Sequence, residues 1–250
     1  MLDELQVEVD AFREAGLLTE FVGELKSGKE ATVYLAKHGE ERLALKRYRP
    51  FYGRGFLKSA RYLQGRYFTP RDERALTKGS RHGRAIAADA WIGHEFEAMR
   101  RAAEATPLVP KARGWRGRSI LMEFIPEAPT LERPAPRMID TTLTATEASR
   151  FHREIMVAVI AMFEIHLVHA DLSPYNILVE GCDESGDDAR RAPRIIDFPQ
   201  SVDPRWNPNA RAMLEHDIAE ITKWLRRFNE EVDDRNLAAR LWEQLESGRI

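Results

Sequence analysis

The loop His169-Ala-Asp-Leu-Ser-Pro-Tyr-Asn176 carries an Asp and an Asn five residues apart, and Ile195-Ile-Asp-Phe198 adds a second Asp at the end of a later apolar run. Phosphoryl transfer needs a group that positions the acceptor and hard oxygen ligands for a metal that neutralises phosphate charge. Asp171 suits the first task. Asn176 and Asp197 suit the second, because Mg2+ takes carboxylate and amide oxygens, keeps some of its waters and shares the phosphates of its nucleotide. Either Asp alone reads most simply as a loop cap; their order after a long apolar helix favours the chemical reading. Upstream, Lys46 closes Leu43-Ala-Leu-Lys46. Strand alternation sets Lys46 and Ala44 on the face opposite Leu43 and Leu45, toward a cleft. A cation there suits a nucleotide phosphate, and a carboxylate of the next helix, Glu95 first and Glu97 second, would fix it.

The elements that must hold these residues follow from hydrophobic period. Leu2, Leu5, Val9, Phe12 and Leu17 predict a short amphipathic helix. Thr19 to Lys26, Ala31 to Lys37 and Arg42 to Tyr48 read as three successive antiparallel strands, the last two joined at His38-Gly39-Glu40-Glu41. Residues 49–85 hold five glycines and scattered aromatics without a clear period, which predicts a long insertion. Ala88 to Ala105 regains helical spacing, and Ser119 to Ile125 reads as a strand running into a proline-rich linker. The expected division is a nucleotide-binding N-lobe over 1–125 and a C-lobe over 126–250. In the C-lobe, Ala145 to Leu167 predicts the core helix. Short strands at Ile177 to Val179 and Arg194 to Ile196 follow, with the catalytic loop at 169–178 and the metal segment at 195–202. Two closing helices complete it, the stripe Leu214, Ile218, Ile221, Leu225 and Phe228 among them. The predicted class is α+β, with an antiparallel sheet in one lobe and mainly helices in the other.

With 43% apolar and 31% charged residues in 250, the chain can build one sizeable core or two lobes. No apolar run approaches the length of a membrane span, so no membrane partner is expected. The acidic start Met-Leu-Asp-Glu-Leu lacks signal-peptide order. The lone Cys182 fits a reducing compartment, and the cytoplasm is the expected location. Net charge is only −2, yet residues 47–84 hold eleven Lys or Arg against two acids, a local surplus of nine. Such a segment is a candidate surface for phosphates of a nucleotide, an RNA or a ribosomal particle.

Ser27-Gly28-Lys29-Glu30-Ala31-Thr32-Val33-Tyr34, the Lys46 strand, Trp91 to Met99, Leu121-Met-Glu-Phe-Ile125, His169 to Leu178 and Ile195-Ile-Asp-Phe-Pro-Gln-Ser-Val202 occur in the order seen in RIO protein kinases. The likeness covers about residues 19–228. The resemblance implies a two-lobed protein-kinase-like fold that uses ATP with Mg2+, or Mn2+ in its place. It also implies that Ser27, Gly28, Lys29 and Glu30 cover the phosphates, that Met122, Glu123 and Ile125 meet adenine, and that Asp171, Asn176 and Asp197 act as described. The 18 residues before the first strand are too few for the winged-helix domain of some members, which places the chain nearer the compact ones. Ala170 stands where ordinary protein kinases have the Arg of His-Arg-Asp, Phe-Pro-Gln replaces Phe-Gly after Asp197, and no Ala-Pro-Glu follows. The peptide-docking segment of ordinary kinases is therefore missing, and the protein substrate is unknown.

Three functional readings follow. The first is a RIO-type serine/threonine kinase with ATPase activity, in a family associated with small-ribosomal-subunit maturation. The second is a small-molecule phosphotransferase resembling the aminoglycoside type, which shares the Asp-x-x-x-x-Asn loop and a later metal Asp. The third is an ATP-gated RNA or ribosome assembly factor, supported by the basic segment.

Overall fold

The computed structural model describes residues 2–49, 81–128, 132–181 and 191–250. The chain forms two compact units. The first comprises Met1–Arg100 and Lys111–Phe124; the second comprises Arg101–Pro110 and Ile125–Ile250.

The first unit is built on a sheet of order β1-β2-β3-β5-β4. Its strands are β1 (Glu20–Ser27), β2 (Ala31–His38), β3 (Glu41–Tyr48), β4 (Ala112–Arg116) and β5 (Ser119–Glu123), every neighbouring pair antiparallel. Helix α1 (Leu2–Glu14) lies against one face, where Val9 and Phe12 join Leu18, Ala36, Leu43, Leu45 and Leu121 in one cluster. Each fully buried Leu there contributes about 2 kcal/mol. A polar clamp fixes the same helix. The Glu8 carboxylate accepts from Arg47 Nε at 2.9 Å, from the Arg118 backbone N–H at 3.2 Å and from the Ser119 hydroxyl. Gly114 leaves room for the Leu17 side chain in the segment after α1, since a Cβ there would stand 2.9 Å from Leu17 Cδ1. On the other face Tyr48, Trp91, Ile92 and Ile120 form a second cluster, with Trp91 and Ile92 supplied by α2 (Arg81–Ala105).

That helix starts inside the stretch read from sequence as insertion. Gly83 looked like a break, but the Ala-rich run from Arg84 to Ala90 sustains a helix through it. Strand β4 was also not predicted, because Ala-Arg-Gly-Trp-Arg has neither apolar alternation nor a run of β-branched residues. It is held by its hairpin with β5. Most of the basic segment, residues 50–80, lies outside the described residues, as does Cys182.

In the second unit α3 (Ala145–Glu164) begins with a capping box: Glu147 N–H donates to Thr144 Oγ1 at 3.2 Å, and Thr144 N–H to Glu147 Oε2 at 2.8 Å. Its apolar stripe Phe151, Ile155, Val159, Met162 and Phe163 is buried. So are Leu214, Ile218, Ile221 and Leu225 of α4 (Ala210–Leu225), and Leu237 and Leu241 of α5 (Leu237–Glu246). The His152 ring on α3 meets Thr222 Oγ1 on α4 at 3.0 Å. Strands β6 (Ile177–Glu180) and β7 (Ala192–Ile195) form an antiparallel pair. Among the described residues no helix is long and apolar enough to cross a membrane.

Candidate active site

In the first unit β3 sorts its side chains by parity. Leu43 and Leu45 face α1, while Lys46 and Tyr48 face α2. Lys46 Nζ reaches Glu95 Oε1 at 2.7 Å, and Glu95 is wholly buried. Glu97 instead pairs with Arg100 on the exposed side of α2, at 2.7 Å. Of the two acids considered from sequence, the geometry brings only Glu95 to Lys46, because a two-residue step on a helix turns a side chain roughly 200°.

Ser27 to Glu30 form the exposed turn between β1 and β2. Gly28 N–H donates to the Ala31 carbonyl at 2.8 Å, and a Cβ on Gly28 would stand 3.2 Å from that oxygen. Arg49 closes the turn from outside, its N–H on the Glu30 carbonyl and its guanidinium on Ser27 Oγ, both at 2.8 Å. Lys29 is exposed in this turn. Met122 is buried on β5 opposite Ala44. Glu123 N–H donates to the Lys111 carbonyl at 2.9 Å, and the Glu123 carboxylate accepts from Lys111 N–H at 3.1 Å. Ile125 opens the second unit, its carbonyl accepting from Ala135 N–H at 2.9 Å.

In the second unit the loop at 169–178, read from sequence as catalytic, is held from three sides. Asn176 Nδ2 donates to the Asp171 carbonyl at 2.8 Å and to Asp171 Oδ2 at 3.1 Å. The Asn176 carbonyl accepts from Ile196 N–H at 3.0 Å, which sets Asp197 at the exit of β7 beside the loop. Val168 and Val202 exchange two backbone hydrogen bonds of 2.9 Å, tying the start of the loop to the end of the segment at 195–202. His169 is buried. Its Nδ1 accepts the Asp171 N–H at 3.3 Å, so Nε2 carries the proton and donates to the Ile196 carbonyl at 3.1 Å. Histidine here orders the loop. Ala170 and Asp197 both adopt left-handed backbone, with φ of 66° and 75°.

Asp217, on α4, was not singled out from sequence. Its two carboxylate oxygens accept the N–H groups of Ala170 at 2.7 Å and Leu172 at 2.8 Å, the residues on either side of Asp171. Burial pushes the Asp217 carboxyl up to about 8; the two N–H donors pull the other way, and the nearby Asp171 charge adds to the rise. The signal was present. Asp217 stands three residues after Leu214 and four before Ile221, a lone acid on an otherwise apolar stripe. Such an acid has to find donors or leave the core.

The oxygen donors of Asn176 and Asp197 are of the kind that suits a hard cation. With Nδ2 of Asn176 turned to Asp171, its amide oxygen faces away from that carboxylate, and Asp197 offers carboxylate oxygens at the adjoining strand exit.

The sequence profile of the RIO domain matches residues 32–237. The chain belongs to the RIO domain family. Among RIO relatives it is 36% identical over 211 residues to the RIO-type serine/threonine-protein kinase Rio1 of Methanocaldococcus jannaschii. That alignment covers 84% of this chain and 64% of the relative, so the chain spans just under two thirds of that protein's length. A second RIO-type serine/threonine-protein kinase Rio1, from Haloferax volcanii, is 27% identical over 248 residues, covering 94% of this chain and 77% of the relative. In three dimensions the chain matches the Rio2 kinase of Chaetomium thermophilum, solved as an ADP/Mg2+-phosphoaspartate complex. The TM-score is 0.65 at 18% identity, over 91% of this chain and 61% of that one. The RIO chain thus has the α+β, protein-kinase-like fold expected of it.

Proposed function

We propose that this RIO chain is an ATP- and Mg2+-dependent phosphotransferase, a serine/threonine protein kinase that also turns over ATP. The observation that carries the reading is Asn176: one side chain holds the Asp171 carboxylate, and its own backbone carbonyl holds the strand exit that bears Asp197. Family membership and the names of the relatives support the same class of reaction. In this reading Lys46, held by Glu95, meets nucleotide phosphate, the Ser27 to Glu30 turn covers it, and Met122 to Ile125 contact adenine. Asp171 positions the acceptor hydroxyl and takes its proton. Asn176 and Asp197 hold Mg2+, which when bound neutralises phosphate charge. A reducing, cytoplasmic setting suits the single Cys.

The acceptor follows from what the sequence lacks. Without the Ala-Pro-Glu docking segment, an acceptor peptide is poorly held in line with the γ-phosphate, and water or the chain itself competes. The Chaetomium neighbour carries a phosphoaspartate; by motif order Asp197 is the corresponding acceptor here. The surplus of positive charge over 47–84 supports a phosphate-rich partner, RNA or a ribosomal particle. The aminoglycoside-type alternative has only the shared loop pattern in its favour.

Incubation with γ-labelled ATP and Mg2+ tests this. Slow hydrolysis is expected, with self-labelling that hydroxylamine removes and that Asp197→Ala abolishes. Absence of any ATP turnover, or rapid labelling of unrelated peptides at the rates of about 1 to 100 per second typical of protein kinases, would overturn it.

A further inference from the structure

Tyr48 ends β3 two residues beyond Lys46, on the same face of the strand, and is 2% exposed. Its hydroxyl donates to Glu95 Oε2, while Lys46 donates to Glu95 Oε1 at 2.7 Å. The two oxygens of one buried carboxylate are thus taken by two donors from one strand. The Tyr48 ring also lies 4.7 Å from Lys46 Nζ, within cation–π range. Tyr48 itself is fixed twice. Trp91 meets its ring edge-on at 4.8 Å, and its backbone N–H and carbonyl are both bonded to Arg118, at 2.9 and 3.0 Å.

Glu95 is asked to do something awkward for a group with no solvent contact. A lysine that serves a phosphate has to divide its donors between that phosphate and its carboxylate, so Glu95 receives less from Lys46 once nucleotide is bound. A buried carboxylate that loses a donor is strongly destabilised or turns to find another. Tyr48 is a donor whose position does not depend on nucleotide. We propose that Tyr48 is a positioning residue for phosphate binding: its hydroxyl holds Glu95 in place while Lys46 is shared, and its ring gives the ammonium a second surface along the path to the phosphate. This rests on the reading of Lys46 as the phosphate-binding cation.

The alternative is that Tyr48 only packs. Tyr48→Phe separates the two, because it keeps the ring, the Trp91 contact and the cation–π surface and removes the hydroxyl alone. Affinities for Mg·ATP and for adenosine are to be measured by calorimetry on the full chain, with circular dichroism and a thermal melt to establish folding. The expected result is a Mg·ATP affinity about tenfold weaker, the size of one lost hydrogen bond to a charged group, with adenosine affinity unchanged. Equal weakening of both ligands, or of neither, overturns the proposal. The converse background guards against a folding defect. In Glu95→Gln the charged acceptor is gone, so adding Tyr48→Phe is expected to cost no further Mg·ATP affinity; a second tenfold loss would show that the hydroxyl does not act through Glu95. Lys46→Met separates this from failure of the underlying reading. If that variant binds Mg·ATP as well as the parent, the assignment of Lys46 is wrong; if it loses affinity while Tyr48→Phe does not, only the role of Tyr48 falls.

Discussion

Asp217 accepts the backbone N–H of Ala170 at 2.7 Å, and Ala170 holds that position with φ of 66°. A side chain from α4 therefore stabilises a left-handed backbone immediately before the proposed catalytic Asp171. The second oxygen of Asp217 accepts the N–H of Leu172 just after it, at 2.8 Å.

Replacing Asp217 by Asn leaves one acceptor where two are needed and turns an NH2 toward a backbone N–H. One buried N–H is thereby left without its acceptor, and the expected cost in chemical denaturation is about 1 to 3 kcal/mol. Turnover is expected to fall more than Mg·ATP affinity, since the displaced residue is Asp171.

Asp217 also predicts a pH dependence. Its folded value of about 8 lies above the 3.8 of an unperturbed Asp, so the folded chain holds a proton that the unfolded chain releases between those values. Its contribution is complete below 3.8 and is lost as pH rises toward 8. The urea midpoint of the parent, compared with Asp217→Asn, is expected to decline over this window; parallel curves would remove the assignment.

Left-handed backbone costs a non-glycine residue about 1 to 2 kcal/mol, while glycine adds about 0.5 to 1 kcal/mol of unfolded-state freedom. Ala170→Gly is therefore expected to stabilise the fold slightly, by about 0.5 to 1 kcal/mol, whereas Ala170→Val destabilises it. Paired denaturation curves decide.

At the chemical step, Asp171→Asn is expected to leave Mg·ATP affinity within about threefold and to cut turnover by about 10² to 10⁴, the range lost with a general base. Asp197→Ala is expected to weaken Mg·ATP binding itself. Calorimetry with single-turnover kinetics separates the two, and parental turnover in Asp171→Asn would refute its role.

Burial lowers the affinity of His152 for a proton; Asp234 and Asp233 partly oppose this, and Arg226 reinforces it. A depressed histidine contributes stability that is full above 6.5 and lost as pH falls through its lower folded value. His152→Asn is expected to lose less stability than the parent between pH 7 and 5, read from urea midpoints.

The sequence made the periodic parts legible. The stripe of α3, the alternation of β3 and the Asp-Asn-Asp order each rest on local spacing, and the structure has helix, strand and loop there. Strand β4 and the start of α2 were not legible, because tertiary pairing and an Ala-rich run outweighed a glycine in each. Asp217 and Tyr48 were missed for a different reason. Their significance lies in what they touch, forty-seven residues away in both cases, and no local pattern records a contact at that separation.

One consequence of β3 concerns length. Glu8 holds Arg47 on one face and Glu95 holds Lys46 on the other. A slip of one residue would leave only one of the two carboxylates with a cation and set Tyr48 or Leu45 against the other. The ion pairs therefore forbid it together with Leu43 and Leu45, which would turn out of the α1 cluster. Over evolutionary time this strand can accept new side chains far more readily than an inserted or deleted residue.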